Sequence, residues 1–262
     1  MTALTKRDEG LLRVLAAYEL LSTRQVLGLV FAGIRKTTVL RRLRKLEAER
    51  FIRRTAGLAG GEFVWSLGAA GAFRLRLEKY LENLNRNTLE HDVALNDVRL
   101  AFEQAGLALS WVTEQALRRR VGEHSFVGES LNPDAIAAVR TGGGQEAVAV
   151  ELELWSKSPA RYRKIFSHYG SLSRIWAVWY VVPDPALGKK ILREWVGVNE
   201  NRRRPEFYWL LLDEIRNLGS PIRLHGAWGD RVIHRPHAPP AHPPAHAVSR
   251  DDTVFAGHFE GS

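Results

Sequence analysis

The sequence of 262 residues contains no cysteine, and it has no apolar run long enough to cross a bilayer. The absence of cysteine excludes disulfide bonds, thiolate catalysis and cysteine-ligated zinc. Residues 5–9 are mostly charged, so the N-terminal segment does not have the apolar core of a secretory signal peptide. We therefore expect a cytoplasmic protein that has no membrane partner.

Positive charge is concentrated in one segment of an otherwise ordinary globular composition. Hydrophobic residues make up 45% and charged residues 26% of the chain, and its length favours two domains. The formal net charge is +9, and the segment from Arg35 to Arg54 holds nine Lys or Arg residues against two glutamates, a local net charge of +7. Such a patch attracts a polyanion, and the phosphate backbone of DNA is the obvious one.

The N-terminal region has the pattern of three helices followed by two strands. Apolar residues at helical spacing predict helices over residues 6–20, 23–31 and 37–50, and residues 51–55 and 62–67 predict two strands around a glycine-rich loop. This order is similar to that of winged helix-turn-helix domains, in which the third helix enters the major groove of DNA.

The polar and basic residues of this region are candidate contacts to DNA. We expect contacts within the groove from Arg35, Lys36, Thr37, Thr38, Arg41 and Arg42, and contacts to phosphates from Arg44, Lys45, Arg53 and Arg54. The alternative is that the third helix is simply a charged, solvent-exposed surface, as runs of charge usually are.

Changes in composition divide the chain into four parts. Residues 1–82, which end in a helix predicted over 69–82, form the first domain, and the polar residues 83–87 form a linker. Residues 88–235 form the second domain. Residues 236–262 are rich in proline and histidine, a composition that does not build a core, so we expect a disordered tail.

The second domain has an α/β pattern. The expected order is a helix over 88–102, a strand over 107–113, a hairpin over 133–154, a helix over 159–171, a strand over 174–182, a helix over 186–198 and a strand over 207–212. This order predicts a mixed sheet flanked by helices. The acidic and imidazole side chains at positions 90–92 are expected to cap the first helix, and Arg118, Arg119 and Arg120 are further candidates for holding DNA.

Three carboxylates are expected to converge at the end of the predicted hairpin. Glu151 and Glu153 alternate along a strand and so point to the same side, and the hairpin brings Asp134 beside Glu151. Oxygen ligands grouped in this way favour a divalent cation, Mg²⁺ or Mn²⁺. The alternative is that Asp134 is only a turn residue and that both glutamates face solvent on an edge strand.

This arrangement resembles the PD-(D/E)xK nucleases, in which a Pro-Asp pair precedes an Asp/Glu-x-Lys motif on the paired strand. Glu153 stands where the superfamily usually has its lysine, so Lys157 and Lys164 are the candidates to supply the catalytic cation. With residues 89–98 and the basic helix that follows the hairpin, the order of motifs over residues 1–215 resembles the replication-relaxation family. That resemblance implies an N-terminal winged helix, a restriction-endonuclease-like domain and a role in plasmid or mobile-element replication or transfer.

The sequence is compatible with two functions. The first is a relaxase-like protein that binds duplex DNA at an origin and nicks it with a divalent cation held by Asp134, Glu151 and Glu153, alone or as a homodimer, with replication or transfer proteins as partners. The second is a non-catalytic replication or transcription regulator with an inactive nuclease fold. The histidine pair of rolling-circle relaxases is absent, which excludes their mechanism. An RNA-binding function has less support, because no candidate strand shows an aromatic stacking motif.

Overall fold

The computed structural model shows an α/β fold and describes residues 3–56, 58–78, 80–81, 84–114, 116–117, 132–141, 144–170, 175–199, 205–217 and 221–233. The three arginines at 118–120 and the tail at 236–262 lie outside the described residues. Contacts divide the described chain into two compact units, with the division between Asn96 and Asp97. None of the described helices has the length and apolar character needed to span a membrane.

The first unit combines helices with a small antiparallel sheet. Its elements are α1 (Lys6–Tyr18), β1 (Leu20–Ser22), α2 (Thr23–Val30), α3 (Lys36–Ala48), β2 (Ile52–Ala56), a 3-10 turn (Ala59–Gly61), β3 (Phe63–Leu67) and α4 (Ala69–Arg74). The strand order is β1-β3-β2. The sequence did not predict β1, because three residues are too few to show strand alternation.

The helix α4 ends at Arg74, eight residues earlier than the sequence predicted. Arg76 has a positive φ of 56°. The amide of Leu77 donates a 3.0 Å hydrogen bond to the carbonyl of Ala72. A left-handed residue followed by this bond is the Schellman ending of a helix, which the apolar pattern of residues 69–82 concealed.

The start of the next helix packs in the first unit. The helix α5 (Leu89–Gln104) contributes Leu89 and Val93 to a buried cluster with Leu20 and Val64. The side-chain amide of Gln25 also donates to the carbonyl of Val93, at 2.9 Å. These contacts explain why the first unit extends to Asn96, beyond the linker expected at 83–87.

The second unit contains the remainder of α5 and a seven-stranded mixed sheet. Its further elements are β4 (Ala108–Thr113), β5 (Ala135–Thr141), β6 (Gly144–Leu152), α6 (Pro159–Tyr169), β7 (Ala177–Val182), α7 (Pro185–Asn199), β8 (Glu206–Leu211), α8 (Leu212–Arg216), β9 (Ile222–Gly226) and β10 (Arg231–Ile233). The strand order is β10-β9-β8-β7-β6-β5-β4, in which β6, β7 and β8 are parallel and the outer pairs are antiparallel.

Helices cover both faces of this sheet, so its central strand β7 is buried along its whole length. The Trp179 side chain points to one face, where its ring lies 5.7 Å from that of Phe102 in α5. The next residue, Tyr180, points to the other face and lies 5.8 Å from Phe166 in α6. Burial on both faces explains the continuous apolar run of β7, which has no polar alternation.

Candidate functional site

The hairpin of β5 and β6 places Asp134 next to Glu151. The antiparallel register pairs Ala135 with Val150, so one step further along both strands sets Asp134 opposite Glu151. The Asp134 carboxylate accepts the backbone N–H of Leu152 at 2.7 Å. This bond fixes Asp134 at the end of β6, and the two carboxylates lie together as the hairpin predicted.

The Glu151 carboxyl lies on the face of the sheet that α6 covers. Its register partner on β7 is Tyr180, and it accepts a hydrogen bond from the hydroxyl of Tyr169 at the end of α6. Burial, followed by the negative charge of Asp134, raises the pKa of Glu151 from 4.5 to about 8. Glu151 therefore holds a proton at neutral pH unless a positive charge arrives.

The Glu153 carboxylate is buried and paired with a lysine. It forms an ion pair with the Lys157 ammonium, and its backbone N–H donates to the carbonyl of Val181 at 2.9 Å. The backbone N–H of Lys157 in turn donates to the Tyr162 hydroxyl at 3.0 Å. The positive charge of Lys157 is thus held against the carboxylate of Glu153.

The second lysine candidate is placed differently. Lys164 lies on the exposed side of α6, whereas Tyr162, Ile165, Phe166 and Tyr169 form the buried side of that helix. Lys164 therefore faces solvent. Of the two lysines, the structure brings Lys157 to the carboxylates.

Sequence reasoning missed the tyrosines that surround the acidic site. Burial, and then the charge of Glu151, raises the pKa of Tyr169 and of Tyr180 well above 10.0. The Tyr180 hydroxyl is buried without a hydrogen-bond partner among the described residues. The spacing of Tyr162 and Tyr169, seven residues apart on one helix face, was a signal that could have identified part of this set.

The carboxyl groups of Asp134 and Glu151 suit a cation that is bound by few protein ligands. The described residues contain no group of three or more His, Asp or Glu side chains arranged to hold a metal ion. Asp134 and Glu151 nevertheless crowd two carboxyl groups together, and Mg²⁺ is usually bound by one or two carboxylates, with water and substrate phosphate as its other ligands. These two residues fit such an ion, while Glu153 is already neutralised by Lys157.

The basic helix α3 presents most of its predicted DNA contacts to solvent. Its buried side consists of Val39, Leu43 and Leu46. The exposed residues are Arg35, Lys36, Thr37, Thr38, Arg41, Arg44 and Lys45. With Arg54 of β2, which is also exposed, eight of the ten predicted contacts are thus accessible to a partner.

Three of the ten predicted contacts, Arg42, Arg53 and Arg54, bond to other groups of the protein. The Nε of Arg53 donates to the carbonyl of Leu67 at 3.2 Å. The guanidinium of Arg54 pairs with Glu47 at 3.2 Å and lies 4.7 Å from the ring centroid of Phe63. Both arginines therefore hold the β2–β3 hairpin in addition to any contact with a ligand.

The third engaged arginine stabilises the N-terminus of α1. Arg42 donates through Nε and Nη2 to the two carboxylate oxygens of Asp8, at 2.9 and 2.5 Å. Burial alone would raise the pKa of Asp8, but the hydrogen bonds from Arg42 and Thr5 outweigh it and hold the pKa below the usual value. Asp8 also completes the capping box of α1 with Thr5, so Arg42 links α3 to the start of the first helix.

The polar residues at the start of α5 have structural roles. The Asp92 carboxylate accepts the hydroxyl of Thr88 at 2.9 Å, as expected for a residue in the first helical turn. The side-chain amide of Asn96 donates to the carbonyl of Leu20 at 2.7 Å. Asp97 is buried and pairs with Arg216 at 3.0 Å.

The replication-relaxation family matches the chain over residues 12–180, from the first helix to the central strand of the sheet. The chain belongs to this family, and membership associates it with the replication of plasmids or mobile elements. The comparisons with curated proteins and with solved structures gave no match.

Proposed function

We propose that the protein binds duplex DNA at a plasmid or mobile-element origin through its first unit and nicks that DNA, with a divalent cation, at the acidic site of its second unit. The placement of Lys157 beside the carboxylates carries this proposal, because it supplies the charge that the sequence lacks at position 153. Family membership supports the replication role.

Recognition of duplex DNA is supported by the element order of the first unit. The succession α1-β1-α2-α3-β2-β3, with a three-stranded antiparallel sheet, is the order expected of a winged helix and supports this assignment. In such domains the third helix lies in the major groove. The exposed side of α3 carries Arg41, Arg44 and Lys45 on consecutive turns, which suits contacts to bases and phosphates along the groove.

Nicking is supported by the grouping of opposite charges at the end of β6. Asp134 and Glu151 would hold Mg²⁺ or Mn²⁺, which when bound makes water more acidic and offsets negative charge on phosphate. The Lys157 ammonium is positioned by Glu153 and stabilises the charge that develops on the attacked phosphate. Release of the proton from Glu151 is required for its carboxylate to act as a ligand, so activity should increase above neutral pH.

A non-catalytic regulator is the second candidate. Glu153 at the position where PD-(D/E)xK nucleases usually have their lysine, and the raised pKa of Glu151, both favour a site that has kept its fold without its chemistry. In that case the second unit would serve as a platform for DNA or protein partners. The first unit would bind DNA equally well under either function.

A plasmid-nicking assay separates the two functions. Supercoiled plasmid carrying the element's own origin is incubated with the full chain in Mg²⁺, Mn²⁺ or EDTA, and open-circle product is quantified. We expect metal-dependent nicking that Asp134→Ala abolishes. Glu146→Gln, at the opposite end of β6, is the matched control and should keep full activity. Absence of nicking by the wild type, or equal nicking by Asp134→Ala, would favour the regulator.

A further inference from the structure

Trp155 is an exposed aromatic residue at the edge of the acidic site. It follows β6 in the loop that leads to α6, and 65% of its surface is accessible. The ion pair between Glu153 and Lys157 closes this loop, so Trp155 lies at the middle of a five-residue segment whose two ends meet at the site. An exposed tryptophan alone indicates little, but this one is held beside candidate catalytic groups.

The support of this loop fixes the position of the tryptophan. At its far end, the backbone N–H of Lys157 is bonded to Tyr162, and the Ser158 hydroxyl caps α6. In its middle, the Lys190 ammonium of α7 donates to the Ser156 hydroxyl at 2.6 Å. A large aromatic surface is therefore presented from a braced loop.

The stretch of sequence that begins next to Trp155 is basic. From Leu154 to Pro183 the sequence has five Lys or Arg residues and no Asp or Glu. Of these five, Arg161 and Lys164 are exposed on α6. Lys190, which lies outside this stretch, reaches the loop from α7. An aromatic platform amid cations is the combination that binds unpaired nucleic acid, because bases stack on the ring while cations contact the phosphates.

We propose that Trp155 stacks against an unpaired DNA base and holds the strand to be cut at the acidic site. This inference rests on the proposed nicking function and specifies its substrate as single-stranded or locally melted DNA. A base inside a duplex is stacked and paired, so its face cannot reach the ring. A protein partner on the same surface would not require an unpaired base.

Binding is measured by fluorescence anisotropy in EDTA, where no cleavage occurs, with a labelled 12-nucleotide single strand and the duplex of the same sequence. The full chain carries Arg41→Glu and Arg44→Glu in every variant, so that α3 contributes little to binding. Trp155→Ala is compared with Trp155→Phe and with Trp228→Ala, which removes another exposed tryptophan from the second unit.

We expect Trp155→Ala to weaken single-strand binding about tenfold, within the range of base stacking on aromatic side chains. Trp155→Phe should retain most of the affinity, and Trp228→Ala should leave it unchanged. Equal single-strand affinity with and without Trp155→Ala in this Arg41→Glu, Arg44→Glu background overturns the proposal, as does an equal loss for the duplex. Because this readout does not depend on cleavage, Trp155-dependent binding without nicking would refute the nicking function alone.

Discussion

Replacement of Glu151 by glutamine should stabilise the second unit, and the gain should grow with pH. The folded protein raises the pKa of Glu151 from 4.5 to about 8. Between these values the folded state keeps a proton that the unfolded state has lost, so the stability of the wild type falls as pH rises through this window. Glutamine carries no charge and can still accept the hydrogen bond from Tyr169.

The size of the effect follows from the shift in pKa. The full shift corresponds to roughly 4–5 kcal/mol at 1.36 kcal/mol per pH unit. Since part of the side chain stays accessible and its neighbours can relax, we expect about 2–4 kcal/mol at pH 8 and little difference below pH 4.5.

Urea unfolding monitored by tryptophan fluorescence measures this difference. Seven of the eight tryptophans lie beyond Asp97, so the signal reports mainly on the second unit. Glu146→Gln on the same strand is the matched control for a change from glutamate to glutamine. A constant difference between Glu151→Gln and wild type from pH 5 to pH 9 would refute the assignment of a buried, protonated Glu151, as would a Glu151→Gln variant that is less stable at pH 8.

Three further outcomes are expected. Arg41→Glu with Arg44→Glu should weaken duplex binding by the full chain. The slope of log affinity against log salt should become shallower by at least about 1, because about 0.9 counterions are released per phosphate contact and Arg44 is the expected phosphate contact. An unchanged slope in filter binding would exclude α3 as the contact surface. Arg42→Met should instead destabilise the first unit by about 2–4 kcal/mol in thermal unfolding, because it leaves Asp8 buried without its ion pair. Unaltered stability would contradict a structural role for Arg42. Calorimetry should show that the affinity of the protein for Mg²⁺ rises from pH 7 to pH 9, because Glu151 must release its proton to bind the ion. Mg²⁺ binding that is independent of pH would contradict the participation of this carboxyl.

Local patterns were sufficient to predict much of the site. Glycines between two segments rich in β-forming residues predicted the hairpin. Because the two strands pair across a short turn, their register is fixed, and Asp134 lies beside Glu151. The helices α1 and α2 also follow from capping residues and apolar spacing, and α3 follows from apolar spacing. These features depend on interactions between residues that are close in sequence.

Features that depend on distant contacts could not be predicted. The buried partner of Arg42 is Asp8, 34 residues away, so charge alone suggested a DNA contact. Tyr180 belongs to an apolar strand whose position beside Glu151 is set by the parallel pairing of β6 and β7. The strands β9 and β10, which extend the sheet, are only five and three residues long, too short for their pattern alone to identify them.

The most direct test of the nicking function compares the two lysines. Initial rates of origin-plasmid nicking in Mg²⁺ are measured for the wild type, Lys157→Met and Lys164→Met, with folding checked by circular dichroism. Lys157 lies at the carboxylates and Lys164 on the exposed side of α6. We expect Lys157→Met to lose at least about 100-fold in rate, as for the removal of one group that stabilises transition-state charge, while Lys164→Met stays within a few-fold of wild type. Full activity of Lys157→Met, or a wild type that does not nick, would contradict the account.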